Sequence, residues 1–255
     1  MTALFAMACS EKSAKPEAVA KVEAVAKAEV VTKEEVVTKV ETVAADAAQR
    51  SLKSFDRVVL LGAIDLVIAQ GDAAPLRIEA SEVDLPKIAT EVQGTTLTIA
   101  CREKNKKITQ CGPTQVFVVL PNLKSLEVQG SGKVKGTTGF RTDTLKVGVQ
   151  GSGGAEFKLY AQKIELNIQG SGNANFSGMV DALYTTIQGS GSLLGYALEV
   201  KDANIEIQGS GNAQLHVTDT LKANIMGSGE VVYKGAAEVS KSVRGSGSVR
   251  RIAAQ

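Results

Sequence analysis

The carboxylates of this chain are the first residues to test for chemistry, because acid–base catalysis on a polysaccharide needs two of them close together. Six stand out in the second half of the sequence: Glu127, Glu165, Glu206, Asp181, Asp202 and Asp219. They do not fall at one recurring position of the local repeat. Solvated strand faces therefore account for them better than a polysaccharide-degrading active site, which is kept as the weaker alternative. Calcium is compatible with Asp181 or Asp202, but neither lies in an Asp-x-Asp loop.

Other nucleophiles and metal ligands give no stronger pattern. His216 is the only histidine, and it occupies an outward position of a predicted strand. The sequence contains no suggestion of a Ser-His-Asp or Cys-His arrangement, and a lone histidine does not make a metal site. We therefore expect no catalytic residues, no metal site and no cofactor.

Two of the three cysteines flank a short basic loop. Cys101 and Cys111 are separated by nine residues and lie between predicted strands at residues 96–100 and 115–120. In an exported protein they would form a disulfide that closes this loop. The alternative is a pair of free thiols.

The third cysteine lies near the N-terminus. Cys9 follows an apolar run at residues 4–8 that ends in small residues, and this resembles the end of a bacterial lipoprotein signal. The cysteine of such a signal is lipidated, and residues 1–9 would be the remnant of the signal. Ser10 is not the aspartate that retains lipoproteins in the inner membrane, so an outer-membrane anchor is favoured. The alternative is an unmodified cysteine.

Residues 10–50 form a low-complexity segment. From residue 18 onward a six-residue pattern repeats, with lysines at Lys21, Lys27, Lys33 and Lys39. A period of six matches neither the α-helix nor the coiled coil. We expect a tether, disordered or transiently helical, that holds a folded domain away from a membrane.

Seven Gly-Ser-Gly triplets follow one another at steps of 18 to 21 residues, and such a period indicates a repeat architecture. The segment before each triplet mostly alternates apolar and polar residues, which is typical of a strand with one buried face. Glycine permits sharp corners and close stacking, so each triplet is expected to form a corner between strands. The predicted corner glycines are Gly130, Gly132, Gly151, Gly153, Gly170, Gly172, Gly189, Gly191, Gly209, Gly211, Gly227, Gly229, Gly245 and Gly247.

These features predict an all-β fold: a β-solenoid, similar to a right-handed parallel β-helix, with coils of about 19 residues. The solenoid is expected to span residues 51–255. Residues 51–125 would form degenerate coils and a cap, and residues 126–255 hold the Gly-Ser-Gly repeats. All five prolines lie at or before Pro121, which fits because a proline removes a ladder hydrogen bond from a paired strand.

Two classes of ligand are disfavoured by the sequence. None of the triplets continues as Gly-x-Gly-x-x-Gly or as Gly-Lys-Ser/Thr, so a phosphate-binding loop is not indicated. The formal net charge is +2, which gives no electrostatic case for nucleic acid.

Three segments together resemble the head GIN-domain family, an auto-transporter adhesin family of the cell envelope. They are residues 55–72, residues 116–126 and the train of triplets, and the resemblance covers about residues 55–250. It implies a β-helix-like fold in an envelope protein that is often a lipoprotein. It supplies no catalytic residues.

The sequence thus predicts a non-catalytic lipoprotein of the bacterial cell envelope that presents a solenoid surface for adhesion or binding. Its expected partners are the membrane, through the lipid anchor, and an envelope protein or a surface glycan; no nucleic acid is expected. An envelope scaffold or oligomer spacer is the alternative, and a homo-oligomer through a solenoid edge remains open. The ligand-binding residues are unknown from the sequence, as is the side of the membrane that the domain faces.

Overall fold

A computed structural model describes residues 46–103 and 107–253 of the chain. This part is an all-β solenoid of about seven turns, which confirms the predicted fold class. Cys9 and most of the predicted tether lie outside the described residues.

The described residues form sixteen strands in one continuous sheet, with a short 3-10 turn at Leu85–Lys87. The strands are β1 Asp46–Arg50, β2 Arg57–Gly62, β3 Asp65–Gln70, β4 Leu76–Ala80, β5 Ile88–Gln93, β6 Thr96–Cys101, β7 Gln115–Leu120, β8 Ser125–Gly130, β9 Lys133–Gly151, β10 Gly154–Gly170, β11 Asn173–Gly189, β12 Ser192–Gly209, β13 Asn212–Gly227, β14 Glu230–Lys234, β15 Glu238–Gly245 and β16 Ser248–Arg251.

The five long strands β9 to β13 form the regular part of the solenoid. Each has 16 to 19 residues and pairs in parallel with the next. The pairing is in phase with the repeat, so Gln150 pairs with Gln169, and Gln169 with Gln188. Equivalent residues therefore stack in columns, with a spacing of about 4.8 Å between coils.

The core fills the inside of these coils with aliphatic and aromatic side chains. Alternate residues of each strand point inward, as in β10, where Ile164, Leu166 and Ile168 are buried. Phe140 packs edge-on against Phe157 with ring centroids 5.2 Å apart, and Phe176 continues this stack at 6.4 Å. The alternation of the sequence therefore sets which face of each strand is buried.

The triplets lie at the corners of the coils, and Gly170 and Gly172 show why glycine is needed there. Gly170 has φ +110°, and a Cβ on it would lie 2.7 Å from the carbonyl oxygen of Gly151 in the coil before. A Cβ on Gly172 would lie 2.8 Å from the carbonyl oxygen of Gly153. The ladder continues through the corner, because the Ser171 N–H donates to the oxygen of Gly151 at 2.9 Å.

The N-terminal part does not stack in chain order. Strand β2 lies between β6 and β8 and is parallel to both. Strand β3 likewise lies between β7 and the start of β9. The coil made by β2 and β3 is therefore inserted between two layers that follow it in the sequence.

Antiparallel strands cover this end of the solenoid. Strand β5 pairs with β6, β4 with β7, and β1 with β4, all antiparallel. Strand β1 overlaps the last five residues of the segment expected to be a tether, so the folded part begins before Ser51. Arg50 attaches β1 to β5 by donating hydrogen bonds to the Ile88 carbonyl oxygen at 2.7 Å and to Thr90 Oγ1 at 2.8 Å.

Candidate binding face

The most regular exposed surface is the outer face of the strand segments that precede the triplets. We call it the amide face, because its edge column is a run of stacked glutamines: Gln129, Gln150, Gln169, Gln188 and Gln208. The alternation that buries the apolar residues of these strands turns the glutamines outward. Met226 and Arg244 continue the column.

Two further columns run beside the glutamines. The middle column carries Glu127, Gly148, Asn167, Thr186, Glu206 and Asn224. The outer column carries Ser125, Lys146, Glu165, Tyr184, Asn204 and Lys222. The face therefore presents amides, hydroxyls and charges of both signs, which together can donate and accept hydrogen bonds.

A groove of about 470 Å³ opens on this face at Gly148. We call it the Gly148 groove. Its walls come from four coils and include Glu127, Lys146, Asn167 and Tyr184. The groove exists because the middle column lacks a side chain at Gly148.

Glu165 is the electrostatic centre of the groove. Its carboxylate accepts from Lys163 Nζ at 2.7 Å and from Lys146 Nζ at 2.9 Å. These two hydrogen bonds, with that from Lys163 the stronger influence, lower the pKa of Glu165 below its ordinary value. The same contact raises the pKa of Lys163. A glycosidase general acid needs a raised pKa, so Glu165 is unsuited to that role.

Tyr184 is the exposed aromatic residue of the groove. Its surface is 46% exposed, and Lys163 Nζ lies 4.8 Å from the ring centroid. One cation therefore bridges the ring and the Glu165 carboxylate, which fixes the ring at the edge of the groove.

A second cleft, of about 670 Å³, lies at another corner of the coils, between Lys124, Arg141 and Tyr160. Two of the charged groups there, Lys124 and Arg141, are already engaged. Lys124 Nζ pairs with Asp56 at 2.7 Å, and the Arg141 guanidinium lies 4.7 Å from the Tyr160 ring centroid. Tyr160 is half-buried, whereas Tyr184 of the Gly148 groove is exposed, so we take the Gly148 groove as the stronger candidate for a ligand site.

The structure disperses the acids noted in the sequence. Glu127 and Glu206 share the middle column but are four coils apart, or roughly 19 Å. Asp181 pairs with Lys201 Nζ at 2.7 Å, and Asp202 accepts from Thr220 Oγ1 at 2.6 Å.

Asp219 and His216 lie outside the groove as well. Asp219 is exposed and contributes to the raised pKa of Lys201, after the larger effect of Asp181. His216 is half-buried and pairs in register with Glu199 and Lys234 of the neighbouring coils. Within residues 46–103 and 107–253, no three potential metal ligands of the His, Cys, Asp or Glu type come together.

Cys101 and Cys111 form a disulfide with their Cα atoms 6.0 Å apart. Cys101 ends β6 and is buried, and the backbone N–H of Thr109 donates to its carbonyl oxygen at 2.9 Å. The bond ties the loop between β6 and β7 to the antiparallel end of the solenoid.

The sequence marks Gly62 as a turn or bulge between strands at residues 55–61 and 64–69, and the structure makes it an eighth corner. It has φ +96° and pairs with Gly130, although no triplet surrounds it. The Gly148 groove was not predicted from the sequence. Its signal was visible in Val147-Gly148-Val149-Gln150, where glycine stands at a position that holds a polar residue in the other regular repeats.

In the described part of the chain, no helix has the length and apolar content required to cross a bilayer.

Solved structures of similar fold come from species of Bacteroides and Parabacteroides. One is "a putative adhesin" from Bacteroides fragilis, with 22% identity and a TM-score of 0.75. Two come from Parabacteroides distasonis: a "putative lipid binding protein" with 26% identity and a TM-score of 0.68, and a "putative adhesin" with 25% identity and a TM-score of 0.65. Each alignment covers 81% of this chain and 96% of the other.

No curated protein matches the chain. A family model does match, over residues 54–237, and its description is "Putative auto-transporter adhesin, head GIN domain". This range includes both ends of the Gly148 groove and six of the seven triplets. The chain therefore belongs to the head GIN-domain family, a family of adhesin-like proteins of the cell envelope or surface.

Proposed function

We propose that this protein is a lipoprotein of the bacterial outer membrane, anchored through Cys9, whose solenoid binds a partner at the cell surface without catalysing a reaction. The observation that carries the proposal is the amide face. In-register stacking places chemically similar exposed side chains of successive coils in one plane, in a chain of an adhesin-like family.

Such a face suits binding to an extended partner. Each of five successive coils adds a glutamine about 4.8 Å further along, so weak contacts can add up along a long ligand. Repeat proteins use extended surfaces of this kind for recognition.

The anchoring part of the proposal rests on the sequence around Cys9. A lipid on this cysteine, followed by the segment at residues 10–50, would hold the solenoid near a membrane. One acyl chain alone gives reversible membrane binding, so the multiple acylation typical of bacterial lipoproteins would be needed for a stable anchor.

The experiment compares cells that express the full chain, the Cys9→Ser variant or neither. We expect the full chain in the membrane fraction, cleavable by protease on intact cells, and able to increase attachment to a host or bacterial surface. Cys9→Ser should move the protein to the soluble fraction and abolish the added attachment.

Two results would count against the proposal at different points. Membrane retention of Cys9→Ser would refute the lipid anchor. Unchanged attachment after deletion, together with no binding of the purified chain to cells, glycans or envelope proteins, would refute adhesion and favour a scaffold.

A further inference from the structure

We propose that the Gly148 groove is a carbohydrate-binding site that takes an uncharged oligosaccharide of two or more residues. This inference rests on the proposed binding function and gives it a site and a ligand class.

Gly148 is the observation that starts the argument. The chain has 25 glycines, and most are explained by a positive φ or by a neighbour that a Cβ would strike. Gly148 has neither reason: a Cβ on it would lie 3.6 Å from Glu127 Cγ and 4.0 Å from the Leu126 carbonyl oxygen, which are ordinary contacts.

Glycine at this position carries a cost that the fold does not require. It lies inside β9, and a glycine within a strand is destabilising relative to alanine. A strand glycine without a bend often marks a place where a ligand or another backbone approaches closely, and the nearest backbone atom to a Cβ on Gly148 would lie 4.0 Å away. The open space above Gly148 is therefore explained by a ligand that enters the groove.

The walls of the groove define the chemistry of that ligand. Asn167 and Gln150 can donate and accept hydrogen bonds, and Thr186 adds a hydroxyl group. Sugar hydroxyls need this mixture, because each of them also donates and accepts.

The charges of the groove disfavour an anion. Its two cations, Lys146 and Lys163, both bind the Glu165 carboxylate, and Glu127 adds a second negative charge. A phosphate or carboxylate ligand would have to share both lysines with Glu165 and would be repelled by Glu127. A neutral ligand would leave this network intact.

Tyr184 supplies the apolar part of a sugar site. The residue is 46% exposed at the edge of the groove, and the C–H face of a pyranose packs on an exposed aromatic ring. The walls extend from β8 to β11, a distance of three strand spacings of about 4.8 Å each. That span exceeds a single sugar ring and fits an oligosaccharide.

The test measures binding of the purified full chain to an array of neutral and acidic polysaccharides, followed by titration of the best neutral ligand. Gly148→Val fills the groove with a residue that favours strands, so the fold should be kept. We expect its affinity to fall about tenfold or more, since a small misfit in a shaped site costs this much. Tyr184→Ala should weaken binding similarly.

Asn175→Val is the matched control. Asn175 is an exposed residue of β11 that follows a triplet, so it lies outside both the amide face and the groove, and this variant should bind like the unmodified chain. Circular dichroism and the thermal midpoint of all three variants verify that each is folded.

The outcomes separate this site from the wider function. If the chain binds a neutral glycan and Gly148→Val binds it equally well, the site is wrong and the binding function stands. If the chain attaches to cells but binds only acidic polysaccharides or no glycan, the ligand class is wrong. If it attaches to nothing, the proposed function itself fails.

Discussion

Single glycines decide where side chains can and cannot stand in this protein. Gly170 lies at a corner, where a methyl group would meet the backbone of the coil before it. Gly148 lies in a strand, where the same methyl group would meet no close neighbour. The two residues look alike in the sequence, yet they differ in why each is a glycine.

Alanine substitution separates these two roles. We expect Gly170→Ala to destabilise the fold by about 2 kcal/mol or more, because alanine must adopt a strained positive φ and its methyl group strikes a carbonyl oxygen. Gly148→Ala should be neutral or stabilising by up to about 1 kcal/mol. Urea denaturation of both variants measures the difference, and equal effects would contradict the corner role of Gly170.

Glu165 gives a prediction about pH. Its pKa is lowered in the folded state by Lys163 and Lys146, so its contribution to stability is complete above the unfolded value. That contribution is lost as the pH falls through the lower folded value. We expect an NMR titration of the Glu165 carboxyl group to give a midpoint below the ordinary 4.5.

The control for this titration removes the two cations. In a Lys146→Met, Lys163→Met double variant the midpoint should rise towards 4.5. A midpoint at or above that value in the unmodified chain would show that the ion pairs do not form in solution.

The edge strands at the two ends of the solenoid are covered in different ways. The N-terminal end is covered by antiparallel strands and closed by the disulfide. At the other end β15 pairs only with β13, and β16 only with β14, among the described strands. Lys241 of β15 pairs in register with Ala223 of β13, which is buried. The column of stacked residues that contains Ala223 therefore ends in a lysine.

Lys241 is itself exposed, and a lysine on an edge strand is a known way to stop that edge from pairing with another chain. We therefore expect the Lys241→Val variant of the 255-residue chain to associate more strongly than the unmodified chain, through this edge. Sedimentation velocity at increasing concentration measures the change.

Lys222→Val is the control for the edge prediction, since it removes an equal charge from an exposed outward position of the neighbouring strand β13. It should leave association unchanged. If Lys241→Val sediments as the unmodified chain does, Lys241 does not guard the edge.

The charges of the whole molecule are nearly balanced, with 29 basic and 27 acidic residues and a formal net charge of +2. Several of these charges form ion pairs with one another, as Lys201 and Asp181 do. Binding at its surface should therefore depend on hydrogen bonds and packing more than on long-range attraction.

Salt dependence tests this view. We expect the affinity for cells or for a glycan to change less than about threefold between 50 and 200 mM salt, whereas a ligand bound through many phosphates loses about 10³-fold or more. A steep loss of binding with salt would indicate an acidic ligand and contradict an uncharged one.

Much of the fold could be predicted because its signals are local. The alternation in segments such as Leu166-Asn167-Ile168-Gln169 decides which face of a strand is buried, and the even spacing of the triplets decides that coils stack in phase. The Cys101–Cys111 contact was also foreseeable, since both residues flank one loop.

The sequence by itself thus determined a β-solenoid with glycine corners, because period and alternation are properties of neighbouring residues. Only the tertiary structure decided that β2 and β3 insert between later strands, since degenerate coils carry no triplet to mark their order. It also decided that Glu165, Tyr184 and Gly148, each from a different coil, surround one groove. Stacking brings together residues that are about 20 positions apart, and their side chains meet only once the register is fixed.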